Sequence, residues 1–195
     1  MPNQFSLFET RPEAPEGFAY AENLVSHEEE QALVESLQEL PFKPFEFRGF
    51  VGKRRTVSFG CHYDFNGGGL REAAEIPPFL LPLRDRAAAV AGLTPDALRH
   101  VLAIEYGEGA GIGWHRDRPV FGEVVGVSLL SPCTLRFRRK RGAGWERVSL
   151  IAEPRSAYLL KGPARSEWEH SIPAVDAARY SVTFRTIGSA AAAQL

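Results

Sequence analysis

Cysteine is scarce in this chain. Cys61 and Cys133 lie far apart and form no C-x-x-C pair, which argues against a disulfide framework or a zinc module and fits a reducing cytoplasm. Long apolar runs are missing too. None approaches the roughly 20 residues that a membrane helix needs, so no membrane partner is expected. The opening Met1-Pro2-Asn3-Gln4-Phe5-Ser6 has no basic region followed by an apolar one, and so no secretory signal is expected. Nor does either sign of charge dominate. Lys and Arg number 23 against 24 Asp and Glu, a net charge of −1, which excludes a molecule that binds polyanions with its whole surface. No internal repeat is present.

What is there fits one globular domain. The 195 residues are 44% hydrophobic and 24% charged, enough for a sizeable core and too few for two comfortable domains. Residues 1–18 hold three prolines and no periodicity, and read as an extended or disordered lead. Residues 19–100 read as helical support with a distinct segment at about 45–65. Residues 101–187 read as a strand-rich core, and 188–195 as an alanine-rich tail.

Ser26 ahead of Glu28, Glu29 and Glu30 starts a helix. Ala32, Leu33, Leu37 and Leu40 continue it at helical spacing until Pro41 and Pro44 end it. Residues 76–98 predict a helix, a turn and a short second helix or turn, with Thr94-Pro95 as a cap and first position. His100 reads as a loop or strand-edge histidine. Beyond it, short strands are predicted at 101–106, 111–115, 124–130, 134–137, 146–150, 157–160, 169–172 and 180–186. Eight short strands at close spacing favour a sandwich or jelly roll.

The densest chemical signal is Gly113-Trp114-His115-Arg116-Asp117. At a strand end, residues two apart leave on one face. His115 and Asp117 thus supply an imidazole and a carboxylate, two-thirds of a facial site for ferrous iron. Arg179 and Arg185 stand an even number of residues apart on the last predicted strand, so they also share a face. A fixed arginine fork is what a dicarboxylate needs.

The order Tyr106, His115-x-Asp117, His170, Arg179 and Arg185, closing in Arg179-Tyr180-Ser181-Val182-Thr183-Phe184-Arg185, resembles the AlkB family of iron(II)- and 2-oxoglutarate-dependent dioxygenases. The similarity runs from about 101 to 187, with a looser echo over 54–65. It implies an α+β, β-dominated fold with a double-stranded β-helix (jelly roll) core and supporting N-terminal helices. It implies His115, Asp117 and His170 as catalytic iron ligands, with 2-oxoglutarate and dioxygen as co-substrates. It places Tyr106, Arg179, Arg185 and the Ser181 position around 2-oxoglutarate. Two departures stand out. The family usually has asparagine two before the tyrosine and two after the first arginine; here these positions are Ile104 and Ser181, and each loses an amide contact. A third is Pro119, where members acting on alkylated bases often carry an acid.

The implied reaction decarboxylates 2-oxoglutarate to succinate and carbon dioxide and hydroxylates a substrate carbon. From an N-methyl group the product collapses to formaldehyde and the bare amine. The expected partner is alkylated nucleic acid. Residues 45–65 interleave aromatics and cations, which suits a substrate lid using Arg54, Tyr63 and Phe65 as well as a core β-hairpin. Arg118 is placed to meet a phosphate. Between 136 and 147, Arg136, Arg138, Arg139, Lys140, Arg141 and Arg147 face one acid, Glu146. That run fits either a phosphate-binding turn, with Arg138 and Arg139 in contact, or a solvated hairpin tip. Gln4-Phe5-Ser6-Leu7-Phe8 resembles the peptide by which bacterial repair proteins dock on the sliding clamp, with Gln4, Leu7 and Phe8 as anchors; the same residues also suit a tail packed on its own domain. Two other functions stay open: a protein or small-molecule hydroxylase or demethylase on the same scaffold, and a β-sandwich binding module without enzymatic activity.

Overall fold

The structure is a computed structural model that describes residues 14–47, 50–63 and 69–188. A short strand β1 (Phe18–Ala21) leads to helix α1 (His27–Gln38). The Ser26 side chain accepts from the Glu29 amide at 3.2 Å, and the Glu29 carboxylate accepts from the Ser26 amide at 2.8 Å, a complete capping box. Strands β2 (Lys43–Phe47), β3 (Phe50–Phe59), β4 (Cys61–Tyr63) and β5 (Leu70–Glu72) follow. Helix α2 (Leu81–Ala91) ends at Gly92, whose φ of 69° needs no Cβ. The rest alternates strands with one short helix: β6 (Leu98–Tyr106), β7 (Ile112–His115), β8 (Phe121–Leu129), β9 (Cys133–Arg141), β10 (Gly144–Ala152), β11 (Ser156–Leu160), α3 (Gly162–Ser166), β12 (Glu169–Ile172) and β13 (Arg179–Ile187).

Two antiparallel sheets face each other as the expected jelly roll. The large sheet runs β1-β11-β8-β13-β6-β3-β2, and the small one β10-β9-β12-β7. Strand alternation sorts the side chains into two cores. Val101, Ala103, Val125, Val127, Leu159, Val182 and Phe184 point outward from the large sheet and bury Leu37 of α1 with Leu83, Ala87 and Ala88 of α2. Ile104, Tyr106, Val124, Leu135, Phe137, Val148, Leu160 and Ile172 point into the space between the sheets. The helices therefore act as backing, and the inter-sheet space is left for the site.

Several expectations need correction. The lead is tied down before residue 18: the Ala164 amide donates to the Glu16 carbonyl at 2.8 Å, and Phe18 opens β1 against β11. Four residues of edge strand leave too short a pattern to read. His100 is no loop residue, because β6 already begins at Leu98, straight after the Pro95–Ala97 turn; it is 3% exposed in mid-sheet. Arg138 to Arg141 are not turn residues either. Strands β9 and β10 run on to Arg141 and from Gly144, so the turn is Gly142-Ala143. Over 43–59 the chain forms the antiparallel pair β2–β3, and β3 also pairs with β6 inside the large sheet, Arg54 opposite Tyr106. Gln4, Leu7, Phe8, Phe65 and the tail from Ser189 lie outside the described residues, as does the side chain of Tyr63. Among the described residues no helix is long and apolar enough to cross a membrane.

Candidate active site

Strands β7 and β12 run antiparallel and set His115 opposite His170, their ring centroids 4.3 Å apart. The glycine-rich approach makes this closeness possible. A Cβ on Gly111 would strike the backbone of Ile172 and Pro173, and Val175 is stitched to Gly109 and Ala110 by two backbone hydrogen bonds of 2.8 and 2.9 Å. Asp117 follows just past the end of β7. One ligand atom each from His115, Asp117 and His170 lies within 4.8 Å of the others.

Each of the three is held by neighbours. The His115 Nδ1–H donates to the Gly113 carbonyl at 2.9 Å, which leaves Nε2 as the ring nitrogen with a lone pair for a metal. Burial, then the nearby His115 ring, lowers His170 to about 3 despite the pull of Asp117, so its imidazole is neutral with a free lone pair. Burial by itself would push the Asp117 carboxyl up. Arg185, His170, His115 and Arg165 outweigh it and hold Asp117 well below the usual carboxylate range. The Arg185 Nη2 donates to Asp117 Oδ1 at 3.2 Å, leaving Oδ2 for a metal. On its other side Arg185 Nη1 donates to His100 Nδ1 at 3.3 Å, while the His100 ring packs on Phe121 with centroids 4.6 Å apart. Arg165 of α3 straps the loop after Asp117, donating to the carbonyls of Arg118 at 2.6 Å, Phe121 at 2.8 Å and Gly122 at 3.0 Å.

A second group of residues lies on the same inter-sheet face. Arg179 is 1% exposed, stacks on the Tyr106 ring at 4.5 Å and donates Nη2 to the Ser128 hydroxyl at 3.0 Å. Its Nε and Nη1 are buried with no partner among the described residues. A buried donor left unpaired costs about 1–3 kcal/mol, so this guanidinium fits a carboxylate that arrives from outside. Ile104 and Ser181 sit opposite each other in the β6–β13 register. Beside them Tyr158 of β11 faces Gly126 of β8. A Cβ on Gly126 would overlap the Tyr158 ring, so the glycine is what lets the phenol fold into this space. Burial, and then the Tyr106 hydroxyl, push Tyr158 up, which keeps it protonated and a donor; Arg179, Cys133 and Asp117 are its other charged or titratable neighbours.

The donor set of two imidazoles and one carboxylate fits ferrous iron. The unpaired Arg179 donors fit one end of a dicarboxylate. Arg54 flanks Tyr106 on the side away from Arg179, donating to the Gly111 carbonyl at 3.2 Å with its guanidinium 3.8 Å over the Phe45 ring. Arg138 and Arg139 stand elsewhere. Arg138 pairs with Glu169 at 2.6 Å, and Arg139 pairs with Glu146 and Glu167, both at 2.9 Å. Two of these acids come from beyond residue 166, so reading the basic run against Glu146 alone missed them. Arg118 is exposed in the strapped loop. A cleft of about 320 Å³ opens where β3 passes to β4, lined by Cys61, Glu72, Glu75 and Arg99. The Cys61 thiol in it, pushed up by burial, feels both Arg99 and Arg185.

Sequence reasoning missed Tyr158, Ser128, His100 and Arg165. For Tyr158 a signal existed: a lone tyrosine in Ser156-Ala157-Tyr158-Leu159-Leu160 alternates with the residues buried under the helices.

A family model for the 2OG-Fe(II) oxygenase superfamily matches residues 17–185. An Arabidopsis thaliana protein titled "Alkylated DNA repair protein ALKBH8 homolog" is 28% identical over 147 residues, covering 63% of this chain and 42% of that protein. The Bos taurus "Alpha-ketoglutarate-dependent dioxygenase alkB homolog 7, mitochondrial" is 32% identical over 127 residues, covering 62% of this chain and 56% of its own length. The chain thus spans about half of these curated relatives. The solved structure of OsALKBH1 superposes with a TM-score of 0.69 at 16% identity, over 89% of this chain and 97% of that one, a likeness of fold.

Proposed function

The chain belongs to the 2OG-Fe(II) oxygenase superfamily, in its AlkB family, and from that premise we propose an iron(II)- and 2-oxoglutarate-dependent dioxygenase that removes N-methyl groups from alkylated nucleobases. The observation that supports it most is the meeting of His115, Asp117 and His170 in the inter-sheet space where Arg179 presents two unpaired donors.

His115 Nε2, Asp117 Oδ2 and His170 would hold the iron on one face. When bound, iron with dioxygen and 2-oxoglutarate supplies the oxidising power, giving succinate, carbon dioxide and a hydroxylated substrate carbon. The chain's residues position and shield. Arg185 holds Asp117 Oδ1, so Oδ2 would be the oxygen offered to the metal, and His100 holds Arg185. Arg179 anchors the far carboxylate of 2-oxoglutarate against the Tyr106 ring. Tyr158 and Ser128 line that subsite beside Ile104 and Ser181, where the family's two amides are absent. The Tyr158 hydroxyl donates to the far carboxylate in their place.

Tyr158→Phe removes one hydrogen bond to a charged acceptor, about 1.5–3 kcal/mol. The expected result is a KM for 2-oxoglutarate raised by roughly tenfold or more, with cobalt(II) affinity unchanged. An unaltered KM removes Tyr158 from the subsite.

The test is formaldehyde release, with iron and 2-oxoglutarate, from methylated single-stranded DNA, methylated RNA and methylated peptides. Release from an oligonucleotide, matched mole for mole by succinate, is the expected result; release from peptides alone replaces the reading. The second reading, a protein hydroxylase or demethylase, draws on Pro119 and on the neutralised Arg138 and Arg139.

A further inference from the structure

The outer face of the small sheet, which no step above uses, carries an alternating row of cations and indoles. Arg136 lies 5.1 Å from the Trp114 ring and Arg138 lies 4.5 Å from the same ring. Arg138 also lies 4.3 Å from the Trp145 ring, and Lys140 caps that ring at 5.2 Å. The order is Arg136, Trp114, Arg138, Trp145, Lys140, crossing from β7 over β9 to β10. Arg147 joins them, opposite Arg138 in the β9–β10 register. Alternation confirms the face: Leu135, Phe137 and Val148 point inward, so their neighbours point out.

Charge on this face is not balanced. Among the described residues Glu169 pairs with Arg138 alone. Arg136 binds the neutral Ser171 hydroxyl at 3.1 Å, and Lys140 and Arg147 are exposed. Trp145 is 38% exposed, one of the few large apolar side chains open to solvent. A guanidinium between two indoles holds both rings in fixed planes at little entropic cost on binding. Fixed indoles with unpaired cations beside them are a stacking platform along a charged track, the chemistry of a single-stranded nucleic acid.

We propose that this row is a secondary docking track for single-stranded nucleic acid, feeding the catalytic site around the edge strand β7. The proposal rests on the nucleic-acid reading above for its occupant. The position supports the path. Trp114 directly precedes His115, and Glu169 and Ser171 flank His170, so the track lies on the reverse of the two strands that carry the histidines. β7 is the outermost strand of its sheet, leaving a short way around to the site. An acidic peptide would use the cations and leave the indoles idle, which is why the nucleic acid is favoured.

The test uses the full chain and an unmodified, fluorescein-labelled oligothymidylate, read by anisotropy across a salt series and by tryptophan quenching. The double variant Lys140→Glu/Arg147→Glu should weaken binding at least about tenfold at low salt. It should also flatten the slope of log affinity against log salt by roughly 1.4 units, two phosphate contacts at about 0.7 each. Trp145→Ala should weaken binding about fivefold to a hundredfold and reduce quenching, with the slope kept. All variants should retain wild-type circular dichroism and wild-type uncoupled conversion of 2-oxoglutarate to succinate. Wild-type affinity in both variants overturns the track. So does equal binding of polyglutamate without quenching. If no methylated strand releases formaldehyde while these losses still appear, the demethylase reading fails and the track stands.

Discussion

Asp117→Asn is expected to weaken divalent metal binding by about two to three powers of ten, measured by titrating cobalt(II) into the apoprotein and following its absorption. Conversion of 2-oxoglutarate to succinate should fall below detection with it. The size follows from charge. Asp117 is the one anion of the donor set, and Arg185 donates to its Oδ1 at 3.2 Å with Arg165 also close in the field. Asparagine keeps the shape and loses the charge, so a dication would then meet two imidazoles and two uncompensated arginines. One unit charge against another at about 5 Å in an effective dielectric near 20 is worth roughly 3 kcal/mol, about two tenfold steps per unit of metal charge before solvent relaxation. A matching Asp117→Glu variant should recover part of the affinity, because it restores the charge at the wrong reach. Unchanged cobalt(II) affinity in the asparagine variant would remove Asp117 from the metal's coordination, and the proposed chemistry with it.

What could be read in advance, and what could not, divides along the range of the interaction. His115 and Asp117 were legible because strand alternation is local: two residues apart means one face, whatever surrounds them. The shared face of Arg179 and Arg185 follows from the same rule, and the helix at 27–38 from its own cap and spacing. Contacts set by pairing between distant strands were not legible. Glu167 and Glu169 neutralise Arg139 and Arg138 only because β12 is inserted between β9 and β7, which no spacing in the basic run announces. His100 looked peripheral since nothing nearby in the chain explains a buried imidazole; its partner Arg185 lies 85 residues away. The Gly126–Tyr158 pair is the clearest case. Neither residue is unusual alone, and the meaning appears only when β8 and β11 lie in register, the glycine vacating the volume that the phenol takes. The loss of amides at Ile104 and Ser181 looked like two separate departures. In register they face each other across β6 and β13, and Tyr158 shares the Tyr106 and Arg179 neighbourhood, a relation between three strands that no local spacing announces.

Arg179→Gln is expected to raise the KM for 2-oxoglutarate by at least about a hundredfold while leaving cobalt(II) affinity near that of wild type. The guanidinium is 1% exposed, and two of its nitrogens have no partner among the described residues. Its energetic cost in the free protein is recovered only when a carboxylate binds, so the residue belongs to the ligand more than to the fold. That distinction is measurable. Removing the buried, half-paired charge should leave the unliganded thermal midpoint unchanged or raise it, whereas a structural arginine would lower it on removal. Binding of 2-oxoglutarate at about 100 times its dissociation constant adds roughly 2.7 kcal/mol to the native state. For a domain of this length that is a rise of about 5–11 °C in Tm. Wild type with manganese(II) should show the rise, and Arg179→Gln should show none at the same concentration. Arg179→Lys should give an intermediate shift, since an ammonium keeps the charge but cannot offer two parallel donors. A full shift in the glutamine variant would mean that 2-oxoglutarate is anchored elsewhere, and the inter-sheet cavity would lose its claim to be the co-substrate site.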